Sequence, residues 1–218
     1  MAFAFPPTAY EIKSPRLVIR TPTVADAGAF IELLGNVKNL PLGETGAMKD
    51  LTIDSISVRI EKWRKLASEG RGPFLAVALR HTDEVIGYMA FNCFRTKDEY
   101  EGTEPEREHP LPGPEGRYLT DLGIVMDHRH RRKGYSSEVI CMASEFAFNS
   151  LGCQVVRMET GIANEPWRSL MRSMGFGAIE EKGAVSYAER PIGWLYKVDK
   201  ITWQQTERNL KANEKWPL

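Results

Sequence analysis

The chain has 218 residues, 42% hydrophobic and 27% charged, and its 29 Lys and Arg balance 29 Asp and Glu at a pI near 6.9. That is enough chain to bury a proper core in ordinary globular proportions; it excludes a disordered or collagen-like polymer and provides no overall basic field for a polyanion. No apolar run approaches the roughly 20 residues that span a bilayer, the start has no signal-peptide pattern, and Cys93, Cys141 and Cys153 lack metal or disulfide spacing and read as small buried hydrophobes in a reducing cytosol.

Residues 1–15 contain three prolines, Pro6, Pro7 and Pro15, and little periodicity, which predicts an arm. The alternation in Arg16 to Thr21 predicts a half-buried strand. Thr23 and Asp26 have the spacing of a capping box, and Phe30, Leu33 and Leu34 give the following helix its apolar face, with Gly35 as its stop. Asn36 to Asp50 reads as a loop. A second helix is expected where Ile53, Ile56, Ile60, Trp63 and Ala67 recur at spacings of three and four. Two apolar strands follow, Phe74 to Leu79 and Val85 to Phe94, with His81 to Glu84 between them as in a hairpin.

Residues 95–116 are strongly polar, with four prolines. Asp98, Glu99, Glu101, Glu104, Glu106, Glu108 and Glu115 outnumber Arg95, Lys97 and Arg107. This stretch reads as a solvated insertion, or, in a functional reading, as an acidic lip that attracts a cationic amine.

Asp121 to Leu151 carries the strongest chemical signal. The run Leu122 to Met126 suits a strand buried on both faces. Asp127 breaks the run, and from Ser137 onward Val139, Met142, Ala143, Phe146 and Leu151 mark one face of a helix. Between them lies the basic, glycine-containing turn of Arg129 to Ser136. A chain that enters a helix through such a turn leaves backbone N–H groups unpaired at the positive end of the helix dipole, which suits phosphate. Taken alone, the basic run also fits a solvated turn or a nucleic-acid patch. A P-loop is excluded, because Tyr135 rather than Lys follows Gly134.

Downstream, Gln154 to Thr160 reads as a strand. Asn164 is a good N-cap with Glu165 and Pro166 in the first turn, and Trp167, Leu170, Met171 and Met174 form the buried stripe of the next helix. Gly175 ends that helix, Phe176 begins a strand, and Gly193 to Val198 supplies the last one. The tail from Thr202 is helix-capable and mostly polar.

The segment Arg131 to Ser136 resembles the Arg-x-x-Gly-x-Gly/Ala signature of the GNAT superfamily of N-acetyltransferases. With Ser137 and Glu138 it is similar to the RimJ/RimL-type branch, and Asn164 and Met174-Gly175-Phe176 follow in the family's order. The resemblance spans roughly residues 12–198. It implies an α/β (α+β) architecture: one GNAT-like domain over residues 1–218, with a mixed, mostly antiparallel sheet of about seven strands splayed in the middle and flanked by about four helices. It also implies an acetyl-CoA-dependent transferase acting on a primary amine, either a small molecule or a protein N terminus. No metal, nucleic acid or membrane is expected, and the chain is expected to be a cytoplasmic monomer or homodimer.

On this resemblance the cofactor's pyrophosphate would sit on the backbone of Arg131, Arg132, Lys133, Gly134, Tyr135 and Ser136, with the side chains of Arg129, Arg132 and Lys133 adding charge. Ile124, Val125 and Met126 would lie along the pantetheine arm, which Asn164 would also bond. Asp121 occupies the position where relatives often carry a Glu as general base, and Glu159 on the next strand is the second candidate. The Tyr and Ser that relatives use to protonate the leaving thiolate are here Met171 and Trp167, neither a good acid. Ser169, Tyr135 or a water remains as a substitute. A catalytically silent CoA-binding or scaffold protein of the same fold is the competing expectation.

Overall fold

The computed structural model describes residues 9–41, 46–102, 116–185 and 192–218. Its frame is an eight-stranded sheet in the order β1-β2-β3-β4-β5-β6-β8-β7. The strands are β1 (Glu11–Lys13), β2 (Leu17–Arg20), β3 (Phe74–Leu79), β4 (Val85–Arg95), β5 (Leu119–Met126), β6 (Val155–Gly161), β7 (Glu180–Ala184) and β8 (Ile192–Asp199). Sequence periodicity did not indicate the edge strand β1, and the strand expected from Phe176 begins only at Glu180, after a 3-10 turn over Phe176–Ile179. Residues 1–8 of the expected arm lie outside the described residues, but Tyr10 is buried.

Side-chain alternation along the strands divides the molecule into two cores. Leu122 and Met126 of β5, Met89 and Phe91 of β4, and Val156 and Met158 of β6 face one side. Helices α4 (Tyr135–Asn149), α5 (Glu165–Ser173) and α6 (Lys200–Ala212) supply Val139, Ile140, Met171 and Trp203 to that side. On the other side, α1 (Ala27–Gly35) and α2 (Ile53–Ser68) bury Phe30, Leu33, Ile56 and Ile60 over Ala76 of β3, with Tyr88 of β4 packed at the margin. Fully burying each such side chain contributes about 1.5–3 kcal/mol.

Local sequence explains where these helices start. Thr52 and Ser55 form a reciprocal capping box for α2. Thr23 and Asp26 also form one, but it caps a single 3-10 turn, Val24–Asp26, and α1 begins one residue later. Asp26 is buried because Arg20 grips both its oxygens at 2.8 Å. The tail is more structured than its polarity suggested. Trp203 of α6 is 2% exposed and donates its indole N–H to Glu145 of α4 at 2.6 Å. The polar insertion likewise begins with a short helix, α3 (Lys97–Glu101), whose Glu99 is buried by capping Thr96. Residues 103–115 of the insertion, including Glu104, Glu106, Arg107, Glu108 and Glu115, lie outside the described residues.

All strand neighbours are antiparallel except β5 and β6. That parallel pair is registered only at Leu119 with Val155, Thr120 with Val156, and Asp121 with Arg157. Beyond Asp121, β5 stays on β4 as far as Met126 with Gly87, while β6 stays on β8. The sheet therefore forks. Across the opening, alternate residues of Leu122–Met126 present backbone groups with no β6 partner. On the opposite edge of β5, the register with β4 slips between Phe91 and Phe94, so Asn92 and Cys93 form a bulge beside the fork.

Candidate active site

The turn between β5 and α4 is built by internal bonds that leave its outward donors unused. Asp127, 2% exposed, accepts from the Arg129 backbone N–H at 2.8 Å and caps the short turn His128–His130. The Arg129 guanidinium then closes on Asp127, with a shortest contact of 2.6 Å, and on Glu32 of α1 at 2.9 Å. Chiefly through its bonds to Arg129, Asp127 is held down at a pKa of about 2. Arg129 is thus neutralised by two carboxylates, which weighs against its expected part in binding an anion.

Arg131 is also committed internally. It donates to Met126 O at 3.2 Å and to Asn39 O at 2.8 Å, and burial lowers its pKa. Asn39 belongs to the expected loop after α1. It sits in a 3-10 turn, Val37–Asn39, is 2% exposed, and accepts from the His128 N–H at 2.8 Å. The loop after α1 and the turn before α4 are therefore one bonded unit.

Arg132 and Lys133 are exposed like Arg129 and Arg131 but differ from them in that, among the described residues, their side chains make no hydrogen bond or ion pair. Arg132 adopts φ +65° and Gly134 φ +80°, so the backbone curls into a concave nest before α4. Among the described residues, the amides of Arg132, Lys133, Gly134, Tyr135 and Ser136 have no acceptor. The carbonyls behind them are occupied: Gly134 O accepts from Ser137 Oγ at 2.7 Å and Glu138 N at 3.2 Å. These amides at the positive end of a fifteen-residue helix, beside the cations of Arg132 and Lys133, fit a phosphate group.

From this nest the open edge of β5 leads back to the fork. Ile124 packs against the α4 core and Met126 is 4% exposed within it, while Val125 faces the α1–α2 side opposite Tyr88. On that same side the last β5–β6 pair places Asp121 beside Arg157. Arg157 Nε donates to one Asp121 oxygen at 2.5 Å and Nη2 to the other at 2.6 Å. Cys93 Sγ, from the bulge, lies 3.1 Å from the second oxygen. Asp121 is 6% exposed, and its hydrogen bonds raise the Arg157 pKa. Burial, with Asp121 close by, pushes the Cys93 thiol up to about 11. Glu159, half-buried, stands two residues farther along β6 on the same face and toward the opening.

Asn164 caps α5: its side-chain oxygen accepts from Trp167 N at 3.3 Å, and its amide donates to Thr160 Oγ1 at 2.8 Å. Met171 is wholly buried, and the indole N–H of Trp167 is buried without an acceptor among the described residues. Ser169 is exposed, outside the stripe of α5 that packs on the core. Tyr135 is half-buried beneath the Arg16 guanidinium, which lies 4.7 Å from its ring centre.

Sequence reasoning missed the partners Arg157, Asn39, Glu32 and Glu138. For the first a signal existed. If β5 and β6 are neighbours, alternation puts Asp121, Arg157 and Glu159 on one face, with opposite charges able to meet.

The chain shares 24% identity over 165 residues with an uncharacterized N-acetyltransferase, YoaA, of Bacillus subtilis (strain 168), covering 76% of this chain and 81% of that protein. Its fold is similar to that of Mycobacterium smegmatis RimJ in complex with CoA-disulfide, at TM-score 0.67 and 13% identity, covering 99% of this chain and 98% of that one. A GCN5-related N-acetyltransferase from Brucella melitensis aligns at TM-score 0.66 and 16% identity over 97% of this chain and 88% of that one. Residues 16–177 match the family model described as an acetyltransferase (GNAT) domain, and they include both the forked strands and the anion nest, so the chain belongs to the GNAT acetyltransferase family.

Proposed function

We propose that this protein transfers an acetyl group from acetyl-CoA to a primary amine, on a small molecule or a protein N terminus, by direct attack, and that Glu159 rather than Asp121 is the carboxylate base. The observation that carries the reading is the continuity of the fork with the nest. An unpaired strand edge leads straight into a helix N terminus whose amides have no acceptors among the described residues. Such a track suits an amide-containing arm that ends in a pyrophosphate. The cofactor would supply the acetyl group as a thioester. Lys133 to Ser136 would hold its phosphates through backbone N–H groups, with Arg132 and Lys133 adding charge. Backbone N–H groups along Ile124–Met126 would pair with the arm and stabilise the oxyanion that develops at the thioester.

The amine proton has to leave as the new C–N bond forms. Both Asp121 oxygens already accept from Arg157, and one is also in contact with Cys93, so a proton would have to displace an existing donor. Glu159 shares this face and lies nearer the opening, and it takes the proton directly or through water. No side chain at Met171 or Trp167 supplies a good acid. The thiolate therefore takes its proton from solvent, which a thiol pKa near 8 to 9 tolerates.

The burial of Met171 and the pairing of Asp121 favour a second reading, a CoA-binding protein that does not turn over. One experiment separates the two. Melting temperature is followed with saturating CoA, and CoA release is then assayed on a panel of amines, polyamines and N-terminal peptides. Stabilisation together with release supports the enzyme. Stabilisation with no release across the panel supports the silent binder, and no stabilisation removes both.

A further inference from the structure

The residue that prepares the nest comes from the other end of the fold. Arg16, just before β2, donates through Nε to Glu138 Oε2 at 2.6 Å, and its Nη2 lies 2.5 Å from the same oxygen. Its own backbone N–H and Ser14 Oγ donate to Glu138 Oε1 at 3.2 and 2.6 Å. Glu138, in the first turn of α4, is 0% exposed, so Arg16 is locked from two sides. Its remaining nitrogen, Nη1, donates to Lys133 O at 2.9 Å.

In a planar trans peptide the C=O and N–H point in opposite directions. Fixing Lys133 O on Arg16 therefore aims the Gly134 N–H away from Arg16, into the nest. Fixing Gly134 O on Ser137 Oγ and Glu138 N does the same for the Tyr135 N–H. We propose that Arg16 is a positioning residue for the cofactor's pyrophosphate, acting by orienting the Lys133–Gly134 peptide. Its charge is matched by Glu138, so its contribution is geometric rather than ionic. Arg132 and Lys133, without charged partners among the described residues, carry the ionic attraction. The inference rests on the CoA-binding reading above.

The test measures CoA affinity by calorimetry across a range of salt concentrations, together with melting temperature and the split between KM for CoA and kcat. Wild-type protein comes first: no CoA binding there overturns the CoA reading and this inference with it. Given wild-type binding, Arg16→Lys keeps the charge, but a single ammonium cannot hold both the Glu138 carboxylate and the Lys133 carbonyl. The double variant Arg16→Gln with Glu138→Gln removes both charges and leaves no buried carboxylate unpaired. Each is expected to weaken CoA binding about tenfold, the loss from one misdirected donor. KM for CoA should rise while kcat at saturating CoA and KM for the amine hold. Dependence on salt should match wild type, because no net charge has gone, whereas Lys133→Gln should flatten it. A folded Arg16→Lys or double variant with wild-type CoA affinity overturns the proposal. Salt dependence flattened as far as in Lys133→Gln also overturns it, by making Arg16 a direct ionic contact.

Discussion

Two charged regions lie within one strand's length of each other and have opposite states. At the start of α4 the donors have no acceptor among the described residues, and the carbonyls of Lys133 and Gly134 are fixed; at the fork Asp121 and Arg157 already satisfy one another. Asp121 is held by Arg157, whereas the amides of Lys133 to Ser136 have no acceptor among the described residues. The difference follows from what each region is made of. Backbone amides at a helix N terminus cannot fold back onto one another, while side chains on adjacent strands can. A site built from backbone keeps its capacity for a ligand in the folded state more readily than one built from opposed side chains.

The largest expected effect tests the backbone half. Gly134→Val adds a Cβ 3.3 Å from Arg16 Nη2 at φ +80°, a backbone conformation that a β-branched residue rarely adopts. The strain costs roughly 1–3 kcal/mol. CoA affinity should fall about 100-fold or more while the protein still melts cooperatively, because the new side chain pushes on Arg16 and the strained turn gives up the backbone curl that aims its amides. Calorimetry with CoA checks this, and unchanged affinity would move the anion site elsewhere.

The side-chain half is tested by two variants compared directly. Glu159→Gln should lower turnover by about 10² to 10⁴ with CoA affinity preserved, the usual contribution of a general base. The loss should shrink as assay pH approaches the pKa of the acceptor amine. Asp121→Asn should instead lower stability, by roughly 3–5 kcal/mol, because it strands a partly buried guanidinium. Its turnover should fall by less than about tenfold, since it leaves the base in place. The reverse ranking of the two turnovers would restore Asp121 as the base.

A smaller effect is expected in acid. Asp127 drops from 3.8 to about 2 through its bonds to Arg129, and Glu180 of β7 from 4.5 to about 2 through its bonds to Arg168. A carboxylate whose folded pKa is depressed stabilises the fold fully above its unfolded pKa and loses that contribution as pH falls through the folded one. Melting temperature should therefore decline as pH drops from about 4 toward 2. Asp127→Asn should start lower at neutral pH and decline less steeply. The smallest effect is at Ser169. Exposed on the outer face of α5, Ser169→Ala should leave turnover within about twofold, and a larger fall would make it the proton donor.

The contrast also explains what the sequence could reveal. The nest was legible because its cause is local: Gly134, a preceding strand and a following amphipathic helix are contiguous in the chain. The two central strands and their helices were legible through alternation and three-four spacing. The partners of Arg129 and Asp121 were not, because Glu32 and Arg157 reach them only once α1 packs on the sheet and β6 joins β5. The bonds of Glu138 were not legible either, because Arg16 reaches it only when the chain entering β2 packs beside α4. The helix of the tail, α6, is anchored by Trp203 together with Leu210 in a mostly polar stretch, two apolar anchors too few for periodicity alone to weigh.

The three cysteines have a practical consequence at the bench. Cys141 and Cys153 are fully buried, which pushes each thiol up to about 12, and burial beside Asp121 takes Cys93 to about 11. Disulfide reagents are attacked by thiolate, so all three are slow to react near neutral pH. A colorimetric thiol assay will therefore report liberated CoA against a nearly flat protein blank. A blank that climbs with time will signal that the β4 bulge or the core beneath α4 has begun to open.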